Sequence, residues 1–214
     1  VSGVLNPNIQ YWTSRGFAVM DVNYGGSTGY GRAYRQRLNG QWGIVDMNDC
    51  ANAALYLAGQ GWVDRNKLAI TGGSAGGYTT LCALTFRDEF KAGASHFGVS
   101  DLAALDADTH KFESRYTSYL VAPAPQRDQL YRERSPRYIA KRIKAPLLIL
   151  HGDKDSIVSV QESVWLADAL QKAGKKNFSF HIIKDGEHGF PTPQMDEGWN
   201  LTFEFLQRVF GTAH

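Results

Sequence analysis

Ile70-Thr71-Gly72-Gly73-Ser74-Ala75-Gly76-Gly77 is the stretch from which the rest of the chain can be read. It has the form Gly-x-Ser-x-Gly. An apolar, β-branched run (68–71) leads into it, and a helix-compatible run (77–87) follows. A strand that turns sharply into a helix at a serine forces that serine into a strained backbone conformation and lifts its hydroxyl above the sheet. Gly72 and Gly76 carry no Cβ and are expected to leave room for the turn. The helix behind the serine aims its first amides at the point where an oxyanion forms. Ser74 is therefore the candidate nucleophile.

Outward from this elbow, apolar runs alternate with helical patterns. Upstream, 8–15 reads as a short helix stopped by Gly16, and 17–24 (FAVMDVNY) as a buried strand. A loop with four glycines (25–31) and a short helix (32–38) follow. Next comes a helix at 46–60, with Asp46 and Asp49 near its start and Gly61 past its end. Downstream, strands are expected at 92–99, 146–150 and 177–184, with helices at 160–173 and 195–210. Residues 106–140 are polar and aromatic and read as a loop-rich excursion over a site. Strands separated by helices imply an α/β protein with a mostly parallel central sheet flanked by helices. No internal repeat or low-complexity segment interrupts it, and one domain is expected.

Composition excludes several classes. The 214 residues carry a formal net charge of +2 with no basic run, so no nucleic acid is expected as a partner. No apolar stretch approaches the roughly 18 residues of a membrane span, so no membrane partner is expected. The start, Val1-Ser2-Gly3-Val4-Leu5, shows no signal-peptide pattern. It also lacks an initiator Met, which suggests that the N-terminus has been cut away. Cys50 and Cys82 make neither a disulfide framework nor a metal cluster. Cys82 reads as a buried free thiol, and a cytoplasmic location is expected. No His-x-x-x-His pair, cysteine cluster or dinucleotide fingerprint appears, so neither metal nor organic cofactor is expected.

A serine hydroxyl is a poor nucleophile until a base takes its proton, and a third group must hold the base. After an elbow of this kind the acid and then the histidine follow in the chain, on loops at the carboxyl ends of strands. Asp153 and Asp155 lie in the turn His151-Gly152-Asp153-Lys154-Asp155 after the 146–150 strand. His188 lies in Asp185-Gly186-Glu187-His188-Gly189-Phe190 after the 177–184 strand. The other histidines fit less well, since His96 and His181 fall inside strands and His151 precedes the acid. Acidic residues are common turn-formers, so spacing alone does not choose between Asp153 and Asp155.

Together these segments resemble the prolyl oligopeptidase family of serine peptidases, and most nearly its acylaminoacyl-peptidase and bacterial aminopeptidase branch. The likeness covers nearly the whole chain. It runs from Asp21-Val22-Asn23-Tyr24-Gly25-Gly26-Ser27-Thr28-Gly29-Tyr30-Gly31 through Trp42-Gly43, Asp46 and Asp49-Cys50 to the elbow Gly72-Gly73-Ser74-Ala75-Gly76-Gly77-Tyr78. It continues through Phe112-Glu113-Ser114-Arg115-Tyr116 and Arg134-Ser135-Pro136 to the acid and histidine turns. The resemblance implies an α/β-hydrolase fold and picks Asp155, the fourth residue after His151, as the acid. It implies that Ser74 attacks the carbonyl, His188 shuttles the proton, Asp155 orients the imidazole, and the Ala75 amide is one oxyanion donor.

Two departures qualify the likeness. Members with a prolyl endopeptidase habit carry Arg two residues after the acid, where this chain has Ile157. The family also has a His-Gly-Gly-Pro segment that gives the second oxyanion donor, and a β-propeller before it. This chain starts after both. Residues 1–214 are therefore expected to be a partial α/β-hydrolase catalytic domain lacking its first strands. The missing strand would lie between the 17–24 strand and the elbow strand; the N-terminal part of the same protein is an expected partner, and a separate chain or a swapped neighbour are the other sources the reading leaves open.

The expected function is a serine peptidase acting near the N-terminus of short peptide substrates. Val99, Leu102, Phe112 and Tyr116 either wall an apolar side-chain pocket or are ordinary core residues. Glu113 either pairs with a substrate's free amine or forms a salt bridge to a basic neighbour. A carboxylesterase, whose triad chemistry is the same, and a non-catalytic fragment are the alternatives.

Overall fold

The computed structural model describes residues 4–108, 116–122 and 125–211. Helix α1 (Pro7–Thr13) begins where Asn6 accepts the Asn8 amide at 2.9 Å and Pro7 presets the first turn. It is followed by α2 (Gly31–Arg35) and α3 (Val45–Gly59). Strand β1 (Ala69–Gly73) runs straight into α4 (Ala75–Phe86), and β2 (Ala92–His96) follows. Helix α5 (Leu102–Asp108) leads into the excursion, whose described residues contain α6 (Tyr116–Leu120) and α7 (Arg127–Arg134). The excursion is thus more helical than its sequence suggests. Strand β3 (Leu147–Gly152), α8 (Gln161–Lys172), β4 (Phe178–Ile183) and α9 (Gln194–Phe210) complete the chain.

The four strands are parallel and lie in the order β1-β2-β3-β4. Side chains of β3 alternate between two cores. Leu147 and Ile149 face the cluster built with Tyr78, Leu81, Leu166 and Leu170 of α4 and α8. Leu148 and Leu150 face the cluster built with Phe205 and Leu206 of α9, against which Trp12 of α1 also packs. Helices therefore cover both faces, as an α/β-hydrolase arrangement requires. Full burial of each of these β3 side chains contributes about 1.5–3 kcal/mol. Helix α9 carries Asp196 and Glu197 in its first turn, Arg208 in its last, and Gly211 in the left-handed region behind it.

One expected strand is absent. Residues 17–24 carry no regular secondary structure and pair with no strand among the described residues, and Val19 and Met20 are 41 % and 46 % exposed. The physical reason is the lack of a neighbour. A strand exists through its ladder, and 17–24 is separated from β1 by an open groove of about 890 Å³. Phe17, Val19 and Val22 line one side of it, and Leu57, Ile70 and Phe90 line other walls. Strand β1 pairs with β2 alone. Ser74 N donates to His96 O and Lys91 N to Leu68 O, so the even-numbered residues face β2. The alternation directs the Ala69 and Thr71 amides into the groove. Among the described residues no helix is long and apolar enough to cross a membrane.

Candidate active site

The elbow forms because glycine is needed where backbones nearly touch. A Cβ on Gly72 would stand 2.5 Å from the Gly76 carbonyl carbon and oxygen, and one on Gly77 would stand 2.6 Å from Gly98 Cα. A Cβ on Gly76 itself would meet nothing within 4 Å. Of the two glycines named for the elbow, only Gly72 therefore needs its missing Cβ within this structure. Ser74 links β1 to α4 with φ 55° and ψ −118°, a left-handed conformation that a non-glycine residue adopts only under constraint. Its amide donates to His96 O at 3.0 Å and its carbonyl accepts Tyr78 N at 3.0 Å, which locks the turn between β2 and the first helical turn. Ala75 opens α4. The first N–H groups of a helix have no acceptor within it, so the Ala75 amide is free to meet an anion.

The acid and the histidine come from the two turns expected to carry them. These turns lie against each other because Gly152 packs directly on the Gly186 backbone, with no space for a side chain. Lys154 N donates to Gly186 O at 2.9 Å and Asp153 N to Ile183 O at 3.2 Å. In this clamp His188 Nδ1 lies 2.8 Å from Asp155 Oδ2. The other carboxylate oxygen, Asp155 Oδ1, accepts the Ile157 and Val158 amides, each at 2.9 Å. Asp153 is exposed on the same turn. Burial by itself would raise the Asp155 pKa. Hydrogen bonds from His151, the Val158 amide, His188 and the Ile157 amide outweigh that effect and hold it at about 2. An ionised Asp155 accepts only, so the hydrogen of that bond sits on His188 Nδ1 and leaves Nε2 as the basic nitrogen.

The His188 side chain is 23 % exposed. Its ring meets Phe97 edge-on, with centroids 4.7 Å apart. Phe97 also lies where a Cβ on Gly73 would stand, 2.6 Å from its Cζ, so one aromatic ring touches both the elbow and the histidine. Phe97 has φ 39°, and its amide donates to Leu150 O at 2.6 Å. Sequence reading missed this residue, because only the convergence of β1, β2 and the His188 loop reveals it. Among the described residues neither the Ser74 hydroxyl nor His188 Nε2 has a hydrogen-bond partner.

Other site expectations fall differently. Leu102 and Val99 are 0 % and 2 % exposed within the main core, where they offer no surface to a ligand. Tyr116 is 47 % exposed, with its ring 6.1 Å from that of Trp42. Phe112 and Glu113 lie outside the described residues. Ile157, in the place of the family's Arg, is exposed. His96 is part-buried against Phe97 and Phe190 of the second core, with Nε2 3.0 Å from Thr202 Oγ1, and burial lowers its pKa to about 4. Cys50 and Cys82 are both free, and burial pushes the Cys50 thiol up to about 12. Neither is activated as a nucleophile.

Two buried carboxylates brace the site. Asp46 Oδ1 accepts the Gly43 amide at 2.7 Å and Oδ2 accepts the Thr79 hydroxyl at 2.5 Å, tying the start of α3 and the loop before it to α4. Glu162 Oε2 accepts the Ser100 amide at 2.8 Å, the Ser100 hydroxyl at 2.7 Å and the Asp101 amide at 2.8 Å. It thereby holds the segment after β2 against α8. Asp101 in turn accepts Arg137 Nη1 and the Tyr138 hydroxyl, each at 2.8 Å. Among the described residues no group of three or more His, Cys, Asp or Glu side chains is arranged to hold a metal.

The sequence profile of the prolyl oligopeptidase family matches residues 4–213. The dipeptidyl aminopeptidase BIII of Pseudoxanthomonas mexicana is 34 % identical over 209 residues, covering 94 % of this chain and 30 % of that protein. A puromycin-hydrolyzing peptidase of Mycobacterium tuberculosis superposes with a TM-score of 0.95 at 43 % identity, covering 100 % of this chain and 32 % of that one. The acylaminoacyl peptidase of Pyrococcus horikoshii superposes with a TM-score of 0.80 at 30 % identity, covering 90 % of this chain and 32 % of that one. The chain thus spans about a third of the length of these proteins.

Proposed function

Since the chain belongs to the prolyl oligopeptidase family, we propose that it is the catalytic part of a serine peptidase that cleaves short peptides near their N-terminus. The observation that carries the reading is the 2.8 Å His188 Nδ1–Asp155 Oδ2 contact beside a strained serine at a strand-to-helix turn. In this reading His188 Nε2 takes the proton of the Ser74 hydroxyl as Oγ attacks the scissile carbonyl. Asp155 keeps the imidazole in the required tautomer and stabilises the imidazolium. The Ala75 amide faces the oxyanion. Nε2–H then passes its proton to the departing amine, leaving an ester on Ser74. Water, deprotonated by the same nitrogen, attacks the ester, and its breakdown returns the proton to Oγ. Relatives named for dipeptidyl-aminopeptidase and acylamino-acid-releasing activity favour substrates held at their N-terminal end.

The groove beside β1 belongs to the same reading. Its partner is a further part of the same protein, contributing a strand between 17–24 and β1, and the second oxyanion donor comes from that part as well. The unpaired Ala69 and Thr71 amides and the apolar walls favour this occupant. Amide exchange on the complete gene product tests it. Ala69 and Thr71 are expected to exchange as slowly as the β2 and β3 amides, and fast exchange at both would overturn the assignment. The free thiols favour a cytoplasmic location.

Activity is tested on the complete gene product with aminoacyl and dipeptidyl anilides set against short acyl esters. Anilide cleavage that vanishes in S74A is expected. Ester turnover without peptide cleavage would leave an esterase instead, and no fluorophosphonate adduct on Ser74 would leave no serine hydrolase at all.

A further inference from the structure

His151 opens the turn that carries Asp155, yet as a histidine ahead of the acid it has no place in the triad. The structure gives it a fully buried ring whose two nitrogens are both engaged. Nε2 lies 2.9 Å from Val158 O, which can only accept, so Nε2 carries a hydrogen. In the neutral ring Nδ1 is then the acceptor for the Ser163 hydroxyl, 2.7 Å away at the start of α8. The same Nε2 stands 3.4 Å from Asp155 Oδ2, the oxygen that receives His188 Nδ1. Asp155 Oδ2 therefore sits between two imidazoles, one partly exposed at the site rim and one sealed in the core.

We propose that His151 is a positioning residue for the reaction. Its single Nε2–H, held by Ser163 and shared unequally between Val158 O at 2.9 Å and Asp155 Oδ2 at 3.4 Å, favours the Asp155 rotamer in which Oδ2 meets His188 Nδ1. The inference rests on the reading of Asp155 and His188 as acid and base. The physical need is specific. Oδ1 is tied by the backbone amides of Ile157 and Val158, which anchor one oxygen but leave the carboxylate plane able to rock. The longer arm of the shared His151 Nε2–H, 3.4 Å from Oδ2, limits that rocking. Because β3, α8 and the Asp155 turn all grip His151, the position of Oδ2 is referred to the rigid part of the fold rather than to its own loop. Positioning errors of an ångström at a proton-transfer step lower turnover while leaving substrate affinity alone.

The test compares H151F, which keeps a ring of similar size without the donor, with H151Q, whose amide nitrogen reaches the place of Nε2. Both are made in the complete protein. Readouts are the rate of fluorophosphonate labelling of Ser74, kcat and KM on a cleaved anilide, and the melting temperature. H151F is expected to slow labelling and kcat by about three- to tenfold, the effect of losing the weaker arm of a shared hydrogen bond. KM is expected to stay within about twofold, the pattern of an interaction used in the chemical step rather than in binding. H151Q is expected to recover most of the rate. A folded H151F that labels at the wild-type rate would overturn the proposal, and so would H151Q as slow as H151F at an unchanged melting temperature. Should H151F not fold, S163A frees Nδ1 of its donor and is expected to slow labelling as well; wild-type labelling by S163A would then overturn it. Labelling separates this inference from the proposed function. A wild-type protein that does not label refutes the triad, whereas a labelling wild type with an indifferent His151 refutes only the positioning role.

Discussion

Replacing Asp155 by Asn probes the site most sharply, because the structure dictates which way the amide must point. Oδ1 accepts two backbone amides at 2.9 Å, those of Ile157 and Val158. If the substituted side chain turned its NH₂ toward them, both donors would lose their acceptor, at about 1–3 kcal/mol each. The carbonyl oxygen therefore stays on the backbone side and the NH₂ faces His188 Nδ1. A donor at that place forces the imidazole into the tautomer with hydrogen on Nε2. Such a ring cannot take the Ser74 proton. The same substitution in a well-studied serine protease lowers turnover about 10⁴-fold. An effect of that size corresponds to about 5 kcal/mol of lost transition-state stabilisation. The assay is kcat/KM on a dipeptidyl anilide with the complete protein, alongside fluorophosphonate labelling of Ser74. D153N, altered on the exposed side of the same turn, serves as the control and is expected to leave the rate unchanged. A folded D155N within tenfold of wild type would refute the tautomer argument, and with it the role given to Asp155.

Stability carries further expectations. His96 is part-buried with its pKa lowered to about 4 from 6.5, so between those pH values the unfolded chain binds the extra proton. Stability is then complete above pH 6.5 and falls as the pH drops toward 4, by up to about 3 kcal/mol. H96Q is expected to flatten this part of the stability–pH curve measured by denaturant unfolding, and an unchanged slope would refute the assignment. Asp155, held at about 2, contributes stability present above its ordinary value near 3.8 and lost as the pH falls toward 2. D155N is expected to weaken the acid-unfolding step in that window. Burial raises the Glu162 pKa, and its Oε2 accepts three donors. E162Q keeps an acceptor and is expected to cost less than about 1.5 kcal/mol, whereas E162L orphans the donors and is expected to cost about 3 kcal/mol or more. Equal melting temperatures for the two variants would show that the donors find other partners.

Much of this architecture is legible in the sequence. The periodicity at 46–60, 160–173 and 195–210 marks helices that form at Val45–Gly59, Gln161–Lys172 and Gln194–Phe210. The apolar run at 146–150 marks the buried strand Leu147–Gly152. These segments are readable because each keeps one period and meets one environment. The 17–24 run fails for the opposite reason. Its composition suits a buried strand, but a strand needs a ladder partner, and the groove stands where that partner would pair. The excursion misleads because its helices are short and polar and are fixed by tertiary contacts such as Ser135 Oγ accepting Leu102 N at 2.9 Å.

Within the site, the kinds of residue and their order are written in the chain: a serine at a glycine-lined turn, then an acid, then a histidine, each following an apolar run. Those are local properties, set by backbone sterics and by the periodicity of burial. Only the tertiary structure decided which oxygen meets which nitrogen. The pairing of Asp155 with His188, the ring of Phe97 beside both, and the burial of His151 behind the acid depend on Gly152 resting on Gly186 and on β3 lying between β2 and β4. No one-dimensional pattern records such contacts, because hydrogen bonds between residues more than thirty positions apart form only once separate strands share one sheet edge.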